Sequence, residues 1–124
     1  MNLRNPLAEA RNHGSAHDGV HHWWQQRLSA LALFPLLIWL LSALPAIIAS
    51  DYQYAQAWLA RPWNAALSVL LSWMIFHHAW LGVQVVVEDY IHQRWLEVTL
   101  LVSARLLAYG AAAVASLFIV LIAV

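Results

Sequence analysis

The stretch at residues 63–90, WNAALSVLLSWMIFHHAWLGVQVVVEDY, decides the fold. Residues 63–87 carry no formal charge, and an α-helix needs roughly 20 such residues to cross a hydrocarbon layer about 30 Å thick. The run is therefore read as a membrane span, long enough to cross with some tilt. Two features separate it from an ordinary span: the adjacent His77 and His78 in its apolar part, and the acid-phenol pair Asp89-Tyr90 where it ends. Imidazole in hydrocarbon requires a hydrogen bond, a charge partner or a metal, so these histidines are functional candidates.

Working outward, residues 28–48 form a second charge-free run, interrupted only by Pro35 and Pro45. Membrane helices tolerate proline where neighbours or water satisfy the freed carbonyls. A kink is predicted near Pro35, with Pro45 near the exit. Residues 49–61 are polar and aromatic and read as a short interfacial connection, and Pro62 suits the first turn of the next helix. Residues 88–97 hold four of the chain's twelve charges and read as the second loop. Residues 98–124 are apolar except for Arg105, which either snorkels to one face or turns inward to an anionic partner. The predicted fold class is all-α, a single integral membrane bundle of three transmembrane helices at 28–48, 63–87 and 98–124.

Composition agrees. Of 124 residues, 63% are hydrophobic and 10% charged, which puts the chain outside the soluble class. All six basic residues are arginines balanced by six acids, with no basic run of the kind that binds nucleic acid. Cysteine is absent, which excludes disulfides, thiolate-held iron-sulfur clusters and covalent haem attachment through Cys-x-x-Cys-His. Any haem must be held by histidine or methionine. Residues 1–27 lack an apolar core and read as a cytoplasmic segment, not a signal or transit peptide.

Arginine distribution orients the bundle. Arg4, Arg11 and Arg27 precede the first span and Arg94 lies in the second loop, against Arg61 alone in the first connection. The N-terminus and the 88–97 loop are expected in the cytoplasm and the C-terminus in the periplasm. Trp23, Trp24 and Trp95 then mark one interface, Trp58 and Trp63 the other.

Successive helix residues point about 100° apart, so His77 and His78 cannot face one ligand equally. His78 and Gly82 share a face, and glycine there admits a flat group or another helix, which favours His78 as the ligand. Tyr90 lies twelve residues on, about 18 Å along the axis. A mid-membrane metal site with a phenol and a carboxylate at the rim suits a lipid-soluble redox carrier such as a quinone. If the first two spans pack together, His21 and Arg27 reach the level of Tyr90, where they could bind haem propionates or polarise a quinone oxygen.

Gly19-Val20-His21 followed by Arg27, then His78-Ala79-Trp80-Leu81-Gly82 followed by Asp89-Tyr90, resembles the hydrophobic membrane anchor subunits of succinate dehydrogenase, the D-type family. The likeness runs from Arg4 to Tyr90 in order and spacing, and the His78 to Asp89-Tyr90 interval is its most specific part. It implies a non-catalytic-core subunit of a four-subunit succinate:quinone oxidoreductase in the bacterial inner membrane. Its partners would be a flavoprotein, an iron-sulfur protein and a second, cytochrome b-type anchor. On that resemblance His78 supplies one axial ligand to a haem b shared with the second anchor, and Tyr90 with Asp89 contacts ubiquinone. Arg27 and His21 face the propionates or the quinone pocket. Succinate oxidation belongs to the partners, and His22 and Arg105 receive no role.

Blander readings stand beside this one. A lone intramembrane histidine often bonds a neighbouring helix, Tyr90 could be an aromatic-belt residue, and Arg27 an ordinary anchor. His77, His92, His13 and His17 are read as solvated or packing residues. Two rival functions follow: a cofactor-free structural or assembly anchor, and a cytochrome b anchor of fumarate reductase.

Overall fold

A computed structural model describes residues 15–124, with side chains from Val20 onward. The expected cytoplasmic tail at 1–14, His13 included, lies outside the described residues, as does the side chain of His17. Four helices follow in order: α1 (Ser15–Ala49), α2 (Tyr52–Leu59), α3 (Pro62–Tyr90) and α4 (Arg94–Ala123). Three are long and apolar enough to cross a membrane: Val20–Ala49 within α1, then α3 and α4. The chain is all-helical among the described residues, with three membrane-spanning helices, as its charge-free runs require.

The helices extend past the charge-free runs. α1 continues through Pro35 and Pro45 and begins well before Leu28, so His21, His22 and Arg27 sit on the helix itself. At the other rim of the sequence's predicted loop, α3 persists to Tyr90 and α4 starts at Arg94. Only Ile91 to Gln93 connect them, a much shorter loop than residues 88–97. Charged residues must leave hydrocarbon, yet they need not leave the helix. A 30-residue helix such as α4 is about 45 Å long and overhangs a core of about 30 Å at both ends.

The connection at 49–61 also differs from expectation by containing a helix. Asp51 caps α2, its Oδ1 accepting from the Tyr54 backbone N–H at 2.9 Å. Trp58 stacks on Trp39 of α1 with ring centroids 5.4 Å apart, and the Asn64 side-chain amide donates to the Trp58 carbonyl at 2.7 Å. These contacts fold the connection back onto the spans it joins.

The central helix is α3, which packs on α4 and on α1. Against α1 it forms an apolar seam of Leu33 and Leu36 on Leu71, flanked by Leu40, Leu67 and Met74. Against α4 the fit is closer: Ala112 is fully buried, and the Trp73 indole donates to Ser116 Oγ at 3.0 Å while that hydroxyl donates to the Ala112 carbonyl at 2.7 Å. Small residues let backbones approach, and interhelical hydrogen bonds replace the hydrophobic drive that lipid removes. Much of the remaining apolar surface faces outward, including Leu31, Phe34, Leu106, Leu107 and Leu121. That is the surface of a bundle covered by lipid or by a neighbouring subunit.

Candidate functional site

The seam between α1 and α3 turns polar toward the Tyr90 end. Above Leu36 and Leu33, the same flank of α1 presents Ser29 and Gln26, and both meet His78 of α3. The spacing 26, 29, 33, 36 is that of one helix face. Ser29 is 5% exposed, the one buried polar residue among those described.

Ser29 Oγ donates to the Gln26 carbonyl at 2.9 Å, which uses its single proton. Its contact with His78 Nδ1, also 2.9 Å, must then run the other way, with the imidazole N–H donating to the hydroxyl oxygen. His78 is thereby held as the Nδ1–H tautomer, with its Nε2 lone pair free to accept or to bind a metal. The group nearest Nε2 is the Gln26 side-chain nitrogen at 3.4 Å, a long contact. Gln26 Oε1 is itself buried without a partner, so this amide is poorly satisfied where it lies.

His78 opens onto an outward-facing groove of about 620 Å³, lined by Arg27, Leu28, Leu31 and Phe34 together with Trp24 and Gln26. Apolar walls, one guanidinium and an imidazole with an available Nε2 are the donor set that suits a flat macrocycle bearing acidic side groups. The residues present therefore fit a haem on this flank. A Cβ added at Gly82 meets nothing within 4 Å. Among the described residues nothing of this chain fills that position, which leaves room beside His78 for a flat group or a partner helix.

Arg27 is not level with Tyr90, contrary to the sequence reading. Because Ser29 contacts His78, Arg27 lies about 3 Å along the axis from the histidine, while Tyr90 lies about 18 Å away. The register between α1 and α3 sets this depth, and the spacing within each helix cannot reveal it. Arg27 lines the His78 groove and its guanidinium stacks 4.5 Å from the Trp23 ring. His21 lies nearer the rim, exposed, its ring Nε2 accepting from the Gln25 side-chain amide at 3.0 Å.

Tyr90 is 76% exposed and Asp89 is exposed beside it, both at the last turn of α3. With Ile91, His92, Gln93 and Leu96, Tyr90 borders a shallow cavity of about 320 Å³ at the α3–α4 turn. Its side chain is therefore presented outward. His77 points away from His78 to α4, where Nδ1 is 3.0 Å from the Tyr109 hydroxyl and the rings are 6.2 Å apart. Its packing role is thus specific. Sequence reasoning missed Gln26, Ser29 and Tyr109; the one signal for the first two is a polar pair three apart on the face that carries Leu33 and Leu36.

Comparison with known proteins adds the family context. The family described as succinate dehydrogenase/fumarate reductase transmembrane subunit matches residues 1–123. The chain is 38% identical over 104 residues to the succinate dehydrogenase hydrophobic membrane anchor subunit of Rickettsia bellii (strain RML369-C), covering 84% of this chain and 83% of that one. Its identity to the same subunit of Rickettsia conorii is 33% over 101 residues, with 81% and 80% covered. The Paracoccus denitrificans subunit is 28% identical over 90 residues, with 73% and 70% covered. No solved structure matches the chain.

Proposed function

We propose that this chain, which belongs to the succinate dehydrogenase/fumarate reductase transmembrane subunit family, supplies His78 as one axial ligand of a haem b and Tyr90 as part of a ubiquinone-reduction site. The second axial ligand comes from a partner anchor. An iron-sulfur subunit and a flavoprotein complete the succinate:quinone oxidoreductase, and succinate is oxidised there. The relatives reported above are named as succinate dehydrogenase subunits, which favours that enzyme over fumarate reductase.

The observation that carries the reading is the placement of His78. Its Nδ1 is bonded to Ser29 Oγ across the two helices, and its side chain lines a groove that also contains Arg27. Both ring nitrogens have a neighbour on α1, but the Nε2 contact is long, 3.4 Å from the Gln26 side-chain nitrogen, and the Oε1 of that amide is left without a partner. The haem, when bound, supplies a one-electron centre within the membrane. Arg27 offsets the charge of its acidic side groups, and Leu28, Leu31 and Phe34 exclude water from its face. Tyr90 donates a hydrogen bond to a quinone carbonyl at the rim, the iron-sulfur subunit delivers two electrons to the ring, and Asp89 passes the two protons from water.

On this reading the Tyr90 end lies at the cytoplasmic face of a bacterial inner membrane, with the N-terminus on the same side and the C-terminus in the periplasm. The arginine distribution supports that orientation. The test is the reduced-minus-oxidised spectrum of the purified assembly carrying His78→Ala. Loss of the haem b bands is expected, and an unchanged spectrum would leave this chain a cofactor-free anchor.

A further inference from the structure

Toward the rim, the His78 groove is bordered by a tryptophan pair and the arginine that rests on it. Trp24 lines the groove, and the Trp23 ring meets Trp24 edge-on, with centroids 5.3 Å apart and planes at 83°. Ring quadrupoles favour that arrangement, so each indole helps to fix the other. The Arg27 guanidinium lies over the Trp23 ring, 4.5 Å from its centroid. Trp23 and Arg27 are four residues apart on α1 and therefore stand one turn apart on the same face.

The stack decides where the positive charge sits. Helical side chains lean toward their own N-terminus, and for Arg27 that direction leads to the rim that carries Tyr90. An arginine so placed, with nothing to hold it, snorkels into the water beyond. Over Trp23 the guanidinium instead stops about one turn, or 6 Å, along the axis from its own Cα, beside the groove that Arg27 lines. A cation over an indole is favoured about fivefold at an exposed site and by more where water is excluded. Its effect on a charge in the groove falls with distance and with screening by water, so a guanidinium held there acts on the groove and a snorkelled one acts much less.

We infer that Trp23 is a positioning residue for the haem site: its ring holds the Arg27 guanidinium where it meets the acidic side groups of the macrocycle. The inference rests on haem binding at His78. It gives Trp23 a task beyond that of an interfacial belt residue. Trp95, 70% exposed near the start of α4, provides the comparison with a tryptophan of the belt alone.

Redox titration of the haem in the purified whole complex tests it. Trp23→Leu is expected to lower the midpoint potential by about half of the Arg27→Gln shift, because the unstacked guanidinium then spends much of its time in water. Trp23→Phe keeps an aromatic face and should recover most of the wild-type value, whereas Trp95→Leu should leave the potential unmoved. In the Arg27→Gln background Trp23→Leu should add nothing, since no cation remains to be held. Trp23→Met serves in place of Trp23→Leu if that variant fails to assemble. A wild-type potential in Trp23→Leu beside a lowered one in Arg27→Gln, an equal Trp23→Leu shift in both backgrounds, or no recovery in Trp23→Phe would overturn the inference alone. Haem bands that survive His78→Ala would overturn it together with the ligand reading on which it rests.

Discussion

Ser29 Oγ sits 2.9 Å from His78 Nδ1 and gives its own proton to the Gln26 carbonyl, so the histidine donates and the serine accepts. The orientation of an imidazole in the middle of one membrane helix is therefore set by a hydroxyl on another. Ser29→Ala removes the acceptor and leaves a buried N–H unsatisfied. Haem retention, read as haem per flavin in the purified complex, should fall about tenfold, in line with other losses of a hydrogen bond to a ligating histidine. Ser29→Thr keeps a hydroxyl and should retain near-normal haem. Equal retention in both variants would remove Ser29 from the site.

Arg27 lines the groove onto which His78 opens. A nearby positive charge favours the reduced haem, so Arg27→Gln should lower its midpoint potential by roughly 30 mV or more, about half the 59 mV that one electron equates to a tenfold change. His21, exposed and nearer the rim, should move the potential much less when replaced by alanine. A redox titration of the two variants reads the difference directly.

The Tyr90 phenol is presented outward at the end of α3. Removing one hydrogen-bond donor to a quinone oxygen in Tyr90→Phe should lower quinone-reductase kcat/KM about tenfold, equivalent to about 1.4 kcal/mol. Succinate oxidation with an artificial acceptor should stay normal. Wild-type rates in both assays would make Tyr90 a belt residue.

Ala112 is fully buried where α4 meets α3. Ala112→Leu forces the two helices apart against the Trp73–Ser116 hydrogen bond, at a cost of about 1–3 kcal/mol. Thermal inactivation of the complex should shift to lower temperature, while the haem spectrum of the surviving fraction stays unchanged because His78 lies on the other seam.

The three spans were legible because hydrocarbon disfavours charge, and long apolar runs with at most one charge mark them without reference to packing. His78 was legible for the same reason, as a cost that demands compensation. Ser29 was not. A serine in an apolar helix usually returns its proton to its own backbone, as Ser42 does to the Trp39 carbonyl, and nothing local distinguishes one that also receives an interhelical bond. The depth of Arg27 was misread because it depends on the register between α1 and α3, fixed by the seam of Leu33, Leu36 and Leu71. Tyr90 was legible as the end of the His78 helix, but the loop at 88–97 was drawn too long because a loop and an exposed helix end carry the same charges.

Axial ligation by His78 is tested most directly by chemical rescue. In the complex carrying His78→Gly, electron paramagnetic resonance of the oxidised haem should lose its low-spin signal, and added imidazole, seated where Ser29 and the groove held the side chain, should restore it. A low-spin signal that persists in His78→Gly without imidazole would contradict the account.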